Sequence, residues 1–403
     1  MSNKKTYWKG YDEKHQTPEF VVSAENEFKK DVPVDEFLGS QDINDLKSGR
    51  RDFLKYMGFS VAAATLASCE SPVIKSIPYV NKPEEITPGV ANWYSTSYYD
   101  GNDFANVLVK SREGRPIWLK GKSDGFTSGG LIPRISTSVL NLYNSARLEG
   151  PIKDSNPTSW STLDLDIANR LKKIADKGGN IRILSNTIIS PSTKSVIKDF
   201  SNSFTKTNED ETVTNTVKHV QYDAVSYFGL RKANELTFGE SFIPSYAFDK
   251  SKVVVSVGAD FIANWLLPTK FSTDFSKTRK PENQWMSKHY QLESVMSLSG
   301  ANADVRGQIK PSQKGLIVKS LLGAISSKYE KVSVNDKIDN LIANIAKDLL
   351  ANTGESIVIC DSNDANTQVL VNAINQELGN YNKTINIDQK INLFQAKDDQ
   401  VTT

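Results

Sequence analysis

Apolar and polar residues alternate over much of the stretch from residue 90 to residue 120, and a period of two is typical of β-strands. The alternation predicts strands at 93–96, 104–110 and 116–120, with a tight turn at 112–115 between the last two. Strands joined by a tight turn run antiparallel. The first part of the chain is therefore predicted to form a small antiparallel β region.

From residue 160 onward, apolar positions recur every three or four residues in several long segments, which indicates amphipathic helices. Short continuous apolar runs lie between these segments and indicate buried strands. Helices are predicted at 163–176, 191–204, 222–237, 316–325, 338–350 and 366–378, and strands at 181–184, 252–257 and 356–360. Because helices and strands alternate, the fold class is predicted to be α/β, with a Rossmann-like, largely parallel sheet.

These patterns divide the chain into four segments. Residues 1–49 form a polar leader, in which one short helix is predicted at 34–46. A basic and then apolar segment occupies 50–69, and 70–155 carries a proline-rich extended segment followed by the β region. Residues 156–403 form the α/β domain, which we expect to be incomplete at its C-terminus because no capping element follows its last apolar run.

The segment at 50–69 resembles a twin-arginine (Tat) export signal. Arg50 and Arg51 are adjacent, Phe53 and Leu54 follow at fixed offsets, and an apolar run extends to residue 67. The run is too short and too rich in small residues to cross a bilayer, which takes about 20 strongly apolar residues. The signal begins unusually far from the N-terminus, so the leader is either an extended presequence or part of a retained anchor.

The apolar run ends in Leu-Ala-Ser-Cys, and this ending resembles a lipobox. Lipidation of Cys69 would anchor the exported protein on the periplasmic side of the inner membrane. The alternative is that the arginine pair is incidental and Cys69 is an ordinary core thiol.

Charge and composition exclude several kinds of site. The net charge of the 403 residues is +2, which argues against a nucleic-acid-binding protein. The two cysteines, Cys69 and Cys360, cannot ligate an iron–sulfur cluster, which takes about four thiolates. Cys360 lies in an apolar run and is predicted to be a buried, inert thiol. Only three histidines are present, so no histidine-rich metal site is expected, and both His219 and His289 are predicted to be structural.

Two stretches resemble the large subunits of molybdopterin oxidoreductases. The first is the hairpin VLVKSREGRPIWLKGK at 107–122, and the second is LNLYNSARLEGPI at 140–152. Each motif is short and individually weak, but their order along the chain matches the family. The resemblance covers roughly residues 79–403 and implies the fold of that family.

A narrower resemblance is to the N-terminal part of the molybdopterin-oxidoreductase-like subunit of bacterial alternative complex III. It is carried by the long leader before the export signal and by the stretches at 186–200, 233–266 and 297–311, which begin NTIISP, ANELTF and SLSGAN. That complex is a quinol-oxidising respiratory assembly built into the membrane.

The resemblance also implies where cofactors would lie in metal-bearing relatives. In those enzymes, cysteines of the N-terminal sheet hold an iron–sulfur cubane, but residues 94–130 contain no cysteine. The metal ligand of the family would fall near 222–226, where Asp223 and Ser226 offer oxygen atoms. The alternative, which we favour, is a helix N-cap for Asp223 and an ordinary helical position for Ser226.

Gly258, Ala259 and Asp260 end a predicted strand, at the edge of the sheet where open α/β folds bind nucleotides. They would contact the phosphates of a pterin cofactor, or in a relative without a cofactor they would only make a tight turn, which is the interpretation we favour. The stretch 299–304 resembles the pterin-side loop of the family. The alternative is a solvated turn held by Asp304 and Arg306.

The resemblance therefore implies a chain that performs no catalysis and holds no cofactor, molybdopterin included. Its partners would be an iron–sulfur module, a multihaem cytochrome c carrying haem c, and quinol-binding membrane subunits, which it would dock and space. Two other functions stay open: a genuine molybdopterin-dependent reductase, and a Tat-exported lipoprotein that binds ligands.

Overall fold

The computed structural model describes residues 15, 17, 18, 21, 84, 86, 87, 89–207 and 213–400, with backbone alone at 206, 207, 213 and 214. The export signal, Cys69 and the helix predicted at 34–46 lie outside these residues. The chain divides into two compact units, Met1–Asn81 and Lys82–Thr403, and the elements below belong to the second. Within the described residues, no helix combines the length and apolarity that a bilayer crossing takes.

The predicted antiparallel sheet is confirmed. Its strands are β1 (Asn92–Tyr99), β2 (Phe104–Arg112) and β3 (Arg115–Gly121), in the order β1-β2-β3. Glu113 and Gly114 connect β2 to β3, both with positive φ, which is the geometry that matches the twist of a two-residue hairpin. One face of the sheet packs on Ile135, and the buried apolar residues there form a small separate core.

A short connecting region follows this sheet. It contains the helix α1 (Pro133–Thr137), a 3-10 turn (Ser138–Tyr143), and the two-residue strands β4 (Ile152–Lys153) and β5 (Asn156–Pro157). Arg134 ties α1 to the sheet, because its Nε and Nη2 atoms donate to the buried Asp103 carboxylate at 2.6 and 2.8 Å.

Next comes a small βαβ unit that has little buried surface. The helices α2 (Trp160–Asp176) and α3 (Pro191–Asn202) begin at Ser159 and Ser190, whose hydroxyls cap the third residue of each helix. The strands are β6 (Ile181–Ser185), β7 (Thr205–Thr207), β8 (Val213–Asn215) and β9 (Val217–Gln221). β6 and β9 pair in parallel as a two-stranded sheet, whereas β7 and β8 form an antiparallel ribbon.

The largest sheet has four parallel strands in the order β13-β12-β11-β14, as the predicted Rossmann-like sheet requires. The elements of this region are α4 (Phe228–Phe238), β10 (Pro244–Tyr246), a 3-10 turn (Phe248–Lys250), β11 (Val253–Val257), α5 (Pro268–Lys277), β12 (Lys288–Glu293), α6 (Leu298–Ala301), β13 (Val305–Gln308), a 3-10 turn (Pro311–Gln313), α7 (Lys314–Ile325), α8 (Asp336–Ala351), β14 (Ser356–Cys360), α9 (Ala365–Glu377), β15 (Ile385–Lys390) and a 3-10 turn (Asp398–Gln400).

Both faces of this sheet are covered, which explains why β11 and β14 are apolar at nearly every position. Val253, Val255 and Val257 point to a core shared with α7, α8 and α9. Val254 points the other way, into a core rich in aromatic side chains that includes Phe248, Phe261, Trp265 and Phe271. The sheet is thus a doubly covered platform whose strands all end at one edge.

Two expectations for this region need correction, and two strands of the central sheet were not predicted. The helix predicted at 222–237 begins only at Phe228, because the side chains of Asp223 and Ser226 are bonded to distant segments. The stretch 299–304 contains most of the short helix α6, and only residues 302–304 form the largely exposed turn that was expected. The two strands that were not predicted are β12 and β13. In β12, polar residues occupy buried positions, so the strand has no apolar run; the four residues of β13 have none either.

Candidate functional site

Four positions lie where the strands of the central sheet end, and we call them the carboxyl edge: Gly258, Asp260, Glu293 and Asp361. Gly258 and Asp260 follow β11, Glu293 is the last residue of β12, and Asp361 follows β14. Open α/β sheets bind ligands at this edge. The candidate site is therefore built from the side chains found here.

Glu293 is the most connected group of the carboxyl edge. Its buried carboxylate accepts hydrogen bonds from Arg306 Nε at 2.6 Å, from Gln291 Nε2 at 3.2 Å, and from the amide and hydroxyl of Ser297 at 3.1 and 2.6 Å. Burial by itself raises the pKa of Glu293, but the bonds from Arg306 and Ser297 outweigh it and hold the pKa below the ordinary value. The carboxylate is thus ionised and fully paired.

α6 packs directly on the Glu293 carboxylate. A Cβ atom at Gly300 would lie 1.8 Å from Glu293 Oε1, so this position admits only glycine without a rearrangement. Asp304 pairs with Arg279 at 2.7 and 2.8 Å, and Arg306 pairs with Glu293. The expectation that Asp304 and Arg306 hold a turn together is therefore wrong, because each binds a different partner.

The turn after β11 is closed by bonds of Asp260. Its Oδ1 atom accepts from the amide and hydroxyl of Ser299 at 3.0 and 2.7 Å, which joins the turn to α6. Its carbonyl accepts from the amides of residues 263, 264 and 265. Ala259 is fully buried, and its carbonyl accepts from the hydroxyl of Ser256 at 2.7 Å. Through these hydrogen bonds, Asp260 and Ala259 close the turn after β11 and join it to α6.

Asp361 covers the glycine of the same turn. Gly258 has a φ of +82°, and a Cβ atom there would lie 2.4 Å from Asp361 Oδ1. The Gly258 amide is already bonded to the Leu292 carbonyl at 2.8 Å. Lys314 Nζ, at the start of α7, donates to both Asp361 oxygens at 2.6 and 2.8 Å. The space above Gly258 is therefore closed by an ion pair of the chain's own residues.

The carboxyl edge does not fit the phosphates of a pterin nucleotide. Phosphate binding at a sheet edge relies on free backbone amides and excess positive charge. Here three carboxylates, Asp260, Glu293 and Asp361, face two cations, Arg306 and Lys314, and the Gly258 amide is occupied. Electrostatics and hydrogen bonding both disfavour an anionic ligand at this position.

Asp223 and Ser226, the oxygen donors noted in the sequence, are each bonded to separate segments. Asp223 is buried and accepts from the amide and hydroxyl of Thr187 at 2.8 and 2.7 Å and from the Ala396 amide at 3.1 Å. Ser226 Oγ donates to Asp398 at 2.7 Å and accepts from the Phe228 amide at 3.1 Å. The N-cap predicted for Asp223 and the helical position predicted for Ser226 are wrong, since α4 begins at Phe228 and its N-cap is Tyr227.

A buried arginine lies in the same region. Arg231 Nη1 donates to the carbonyls of Phe394 and Ala396 at 3.4 and 2.9 Å, and its Nε atom has no hydrogen-bond partner in the described part of the chain. Burial lowers the pKa of Arg231, and the charges of Asp223 and Asp398 oppose that shift. The arginine thus fastens the segment after β15 beneath α4.

The titratable side chains of the described residues form no cluster that could bind a metal ion. Within residues 89–207 and 213–400 and the few described before them, no three His, Cys, Asp or Glu side chains are placed to share an ion. Burial raises the pKa of Cys360 to about 12, as expected of an inert thiol. Burial lowers the pKa of His289 to about 4, so its ring is neutral, with Nε2 at 3.1 Å from Gln291 Oε1.

Sequence reasoning placed Gly258, Ala259 and Asp260 at the correct edge but missed Glu293 and the pair of Lys314 with Asp361. The signal that could have pointed to Glu293 is Ser297 four positions later, since a serine is a favourable N-cap and Ser297 does cap α6. No spacing rule joins Lys314 to Asp361, because 47 positions separate them.

No protein-family model matches this sequence, and no curated protein matches it. The fold is similar to that of acetylene hydratase from Pelobacter acetylenicus, with a TM-score of 0.48 and 13% identity over 70% of this chain and 43% of the hydratase. It is also similar to the formyltransferase/hydrolase complex from Methylorubrum extorquens in complex with methylofuran, with a TM-score of 0.35 and 10% identity over 53% and 55% of the two chains. The chain spans less than half the length of the hydratase, and neither similarity carries an argument about activity.

Proposed function

We propose that this chain is a cofactor-free, molybdopterin-oxidoreductase-like scaffold subunit of a membrane-bound, quinol-oxidising respiratory complex of the alternative complex III type. One observation carries the proposal. The edge of the sheet where a pterin nucleotide would lie is closed by the ion pair of Asp361 with Lys314 and by the paired carboxylate of Glu293. A fold that keeps the shape of a cofactor-binding domain while its polar groups bind one another is suited to a structural role.

The sequence supports the respiratory assignment. The resemblance to the molybdopterin-oxidoreductase-like subunit of alternative complex III rests on the order of several stretches and on the long leader before Arg50 and Arg51. The Tat pathway exports proteins that are already folded, which suits a chain exported together with a cluster-bearing module. With Cys69 lipidated, the chain would be held on the periplasmic side of the inner membrane.

Exposed apolar side chains support a docking role. Leu148 is 72% exposed, Trp160 66% and Leu165 64%, and all three lie between the antiparallel sheet and β6 in sequence. A second group, Val295 and Met296, follows β12 at 78% and 66% exposure. Contiguous apolar patches mark protein–protein or membrane contacts, so these exposed residues are the candidates for such contacts. We assign them to contacts with an iron–sulfur module, a multihaem cytochrome c and quinol-binding membrane subunits.

Affinity isolation of the C-terminally tagged chain from its own membranes tests the assignment. The expected result is a detergent-stable assembly that contains haem c and iron, and that oxidises a quinol with reduction of cytochrome c. A chain that elutes alone, without haem or iron, would contradict the scaffold role and favour a ligand-binding lipoprotein. A genuine molybdopterin-dependent reductase would instead carry a molybdenum or tungsten atom.

A further inference from the structure

A cleft of about 310 Å³ lies between α3 and β9, away from the carboxyl edge of the central sheet. Its walls come from α3, from β9 and from the loop after β6. The residues that line it are Ile188, Lys194, Ile197, Lys198, Ser201, Asn202, His219 and Gln221. The volume is at the lower end of the range of small-molecule sites, about 300 to 1,000 Å³.

The charged residues of this cleft are two lysines that have no counter-ion among the residues that the structure describes. Lys194 and Lys198 lie four positions apart on α3, so both ammonium groups are on the same face of the helix and repel each other. Neither lysine forms an ion pair or hydrogen bond with any residue that the structure describes. The carboxylate of α3, Asp199, is not among the lining residues. A bound anion would relieve the repulsion.

Neutral donors and an apolar wall complete the cleft. Gln221 Oε1 accepts from the Ile188 amide at 2.8 Å, which fixes the side chain and leaves its amino group as a donor. His219 Nε2 lies 2.8 Å from Ser185 Oγ, which holds the ring in place. Ile188 and Ile197 supply apolar surface beside these groups. The lining therefore matches a ligand that has both an anionic and an apolar part.

We propose that this cleft binds a small organic phosphate, with its oxyanion on Lys194 and Lys198 and its compact apolar group against Ile188 and Ile197. The phosphate can come from a free phosphate ester or from the headgroup of an anionic phospholipid. Both sources present the same chemistry to the two lysines, and the experiment separates them.

Calorimetric titration of the full-length chain with phenyl phosphate is the first arm. We expect saturable binding at one site with a Kd of about 0.1 to 1 mM, and weaker binding of inorganic phosphate because it lacks the apolar group. The K194Q/K198Q variant should weaken phenyl phosphate binding about tenfold or more, since charge-assisted hydrogen bonds are lost. The matched control K172Q/K173Q removes two exposed lysines of α2 and should bind like wild type. Circular dichroism checks that each variant is folded.

Flotation with vesicles is the second arm, done with all variants in a C69S background so that acylation cannot contribute. Flotation with phosphatidylglycerol vesicles but not phosphatidylcholine vesicles, lost in K194Q/K198Q, would assign the phosphate to a lipid headgroup. Absence of lysine-dependent binding in both arms would overturn the proposal, as would equal loss in K172Q/K173Q. Neither arm measures haem, iron or molybdenum, so the outcome is independent of the scaffold assignment.

Discussion

Glu293 shows what the carboxyl edge requires of a single residue. An ionised carboxylate buried this deeply is stable only when its oxygens are bonded, and Arg306, Ser297 and Gln291 supply those bonds. Gly300 completes the arrangement, because only a glycine lets α6 approach the carboxylate so closely. The polar groups at this edge therefore bind one another, and their hydrogen bonds hold β12, α6 and β13 together.

Substitution E293Q tests this arrangement through its pH dependence. At neutral pH the variant should lose about 1–3 kcal/mol of unfolding free energy, because charge-assisted bonds from Arg306 and Ser297 are weakened. The folded-state pKa of Glu293 is below its ordinary value of 4.5, so its contribution is present above that value and is lost as pH falls through the lowered pKa. Urea denaturation of both proteins from pH 7 to pH 3 should show the difference shrinking toward acid.

Glu149 provides the matched control, since it is an exposed glutamate on the connecting region. E149Q should match wild type at every pH. A gap between E293Q and wild type that stays constant down to pH 3 would show that the buried charge is not what stabilises the edge.

At the scale of elements, the sequence correctly predicted those strands that consist of a continuous apolar run. β11 and β14 are apolar runs buried on both faces, and each was predicted within one residue. β12 was missed because His289, Gln291 and Glu293 are polar yet buried: they bond to one another along the strand, and Glu293 also accepts from Arg306. The start of α4 was placed too early because Asp223 is held by Thr187, a contact across 36 positions that no local pattern reveals.

The βαβ unit of β6, α3 and β9 should be less stable than the central sheet. Within the part of the chain that the structure describes, α3 has no buried residue and β6 pairs with β9 alone, whereas β11 and β14 are buried throughout. Because few apolar contacts oppose local opening, amides of α3 should exchange with deuterium about 100-fold faster than those of β11 and β14. Hydrogen exchange with mass spectrometry on the isolated chain measures this. Equal protection of α3 and β11 would show that the small unit is held by contacts beyond those described.

At the scale of the whole molecule, the fold class and the pairing of charges at the carboxyl edge were predictable to different degrees. The alternation of helices and strands was enough to predict an antiparallel region followed by a parallel α/β sheet. The ion pairs at the carboxyl edge could not be predicted, because they join residues that are distant in sequence, such as Lys314 and Asp361. The scaffold assignment depends on those pairs, since they close the place where a cofactor would lie.

Molybdenum and tungsten content, measured by plasma mass spectrometry on the chain isolated from its own membranes, tests the scaffold assignment most directly. Pterin fluorescence after acid oxidation of the same sample gives an independent reading. We predict less than about 0.05 metal atom per chain and no pterin, because the paired carboxylates at Glu293 and Asp361 disfavour a phosphate-bearing cofactor. About one metal atom per chain, with an equivalent of pterin, would contradict the account.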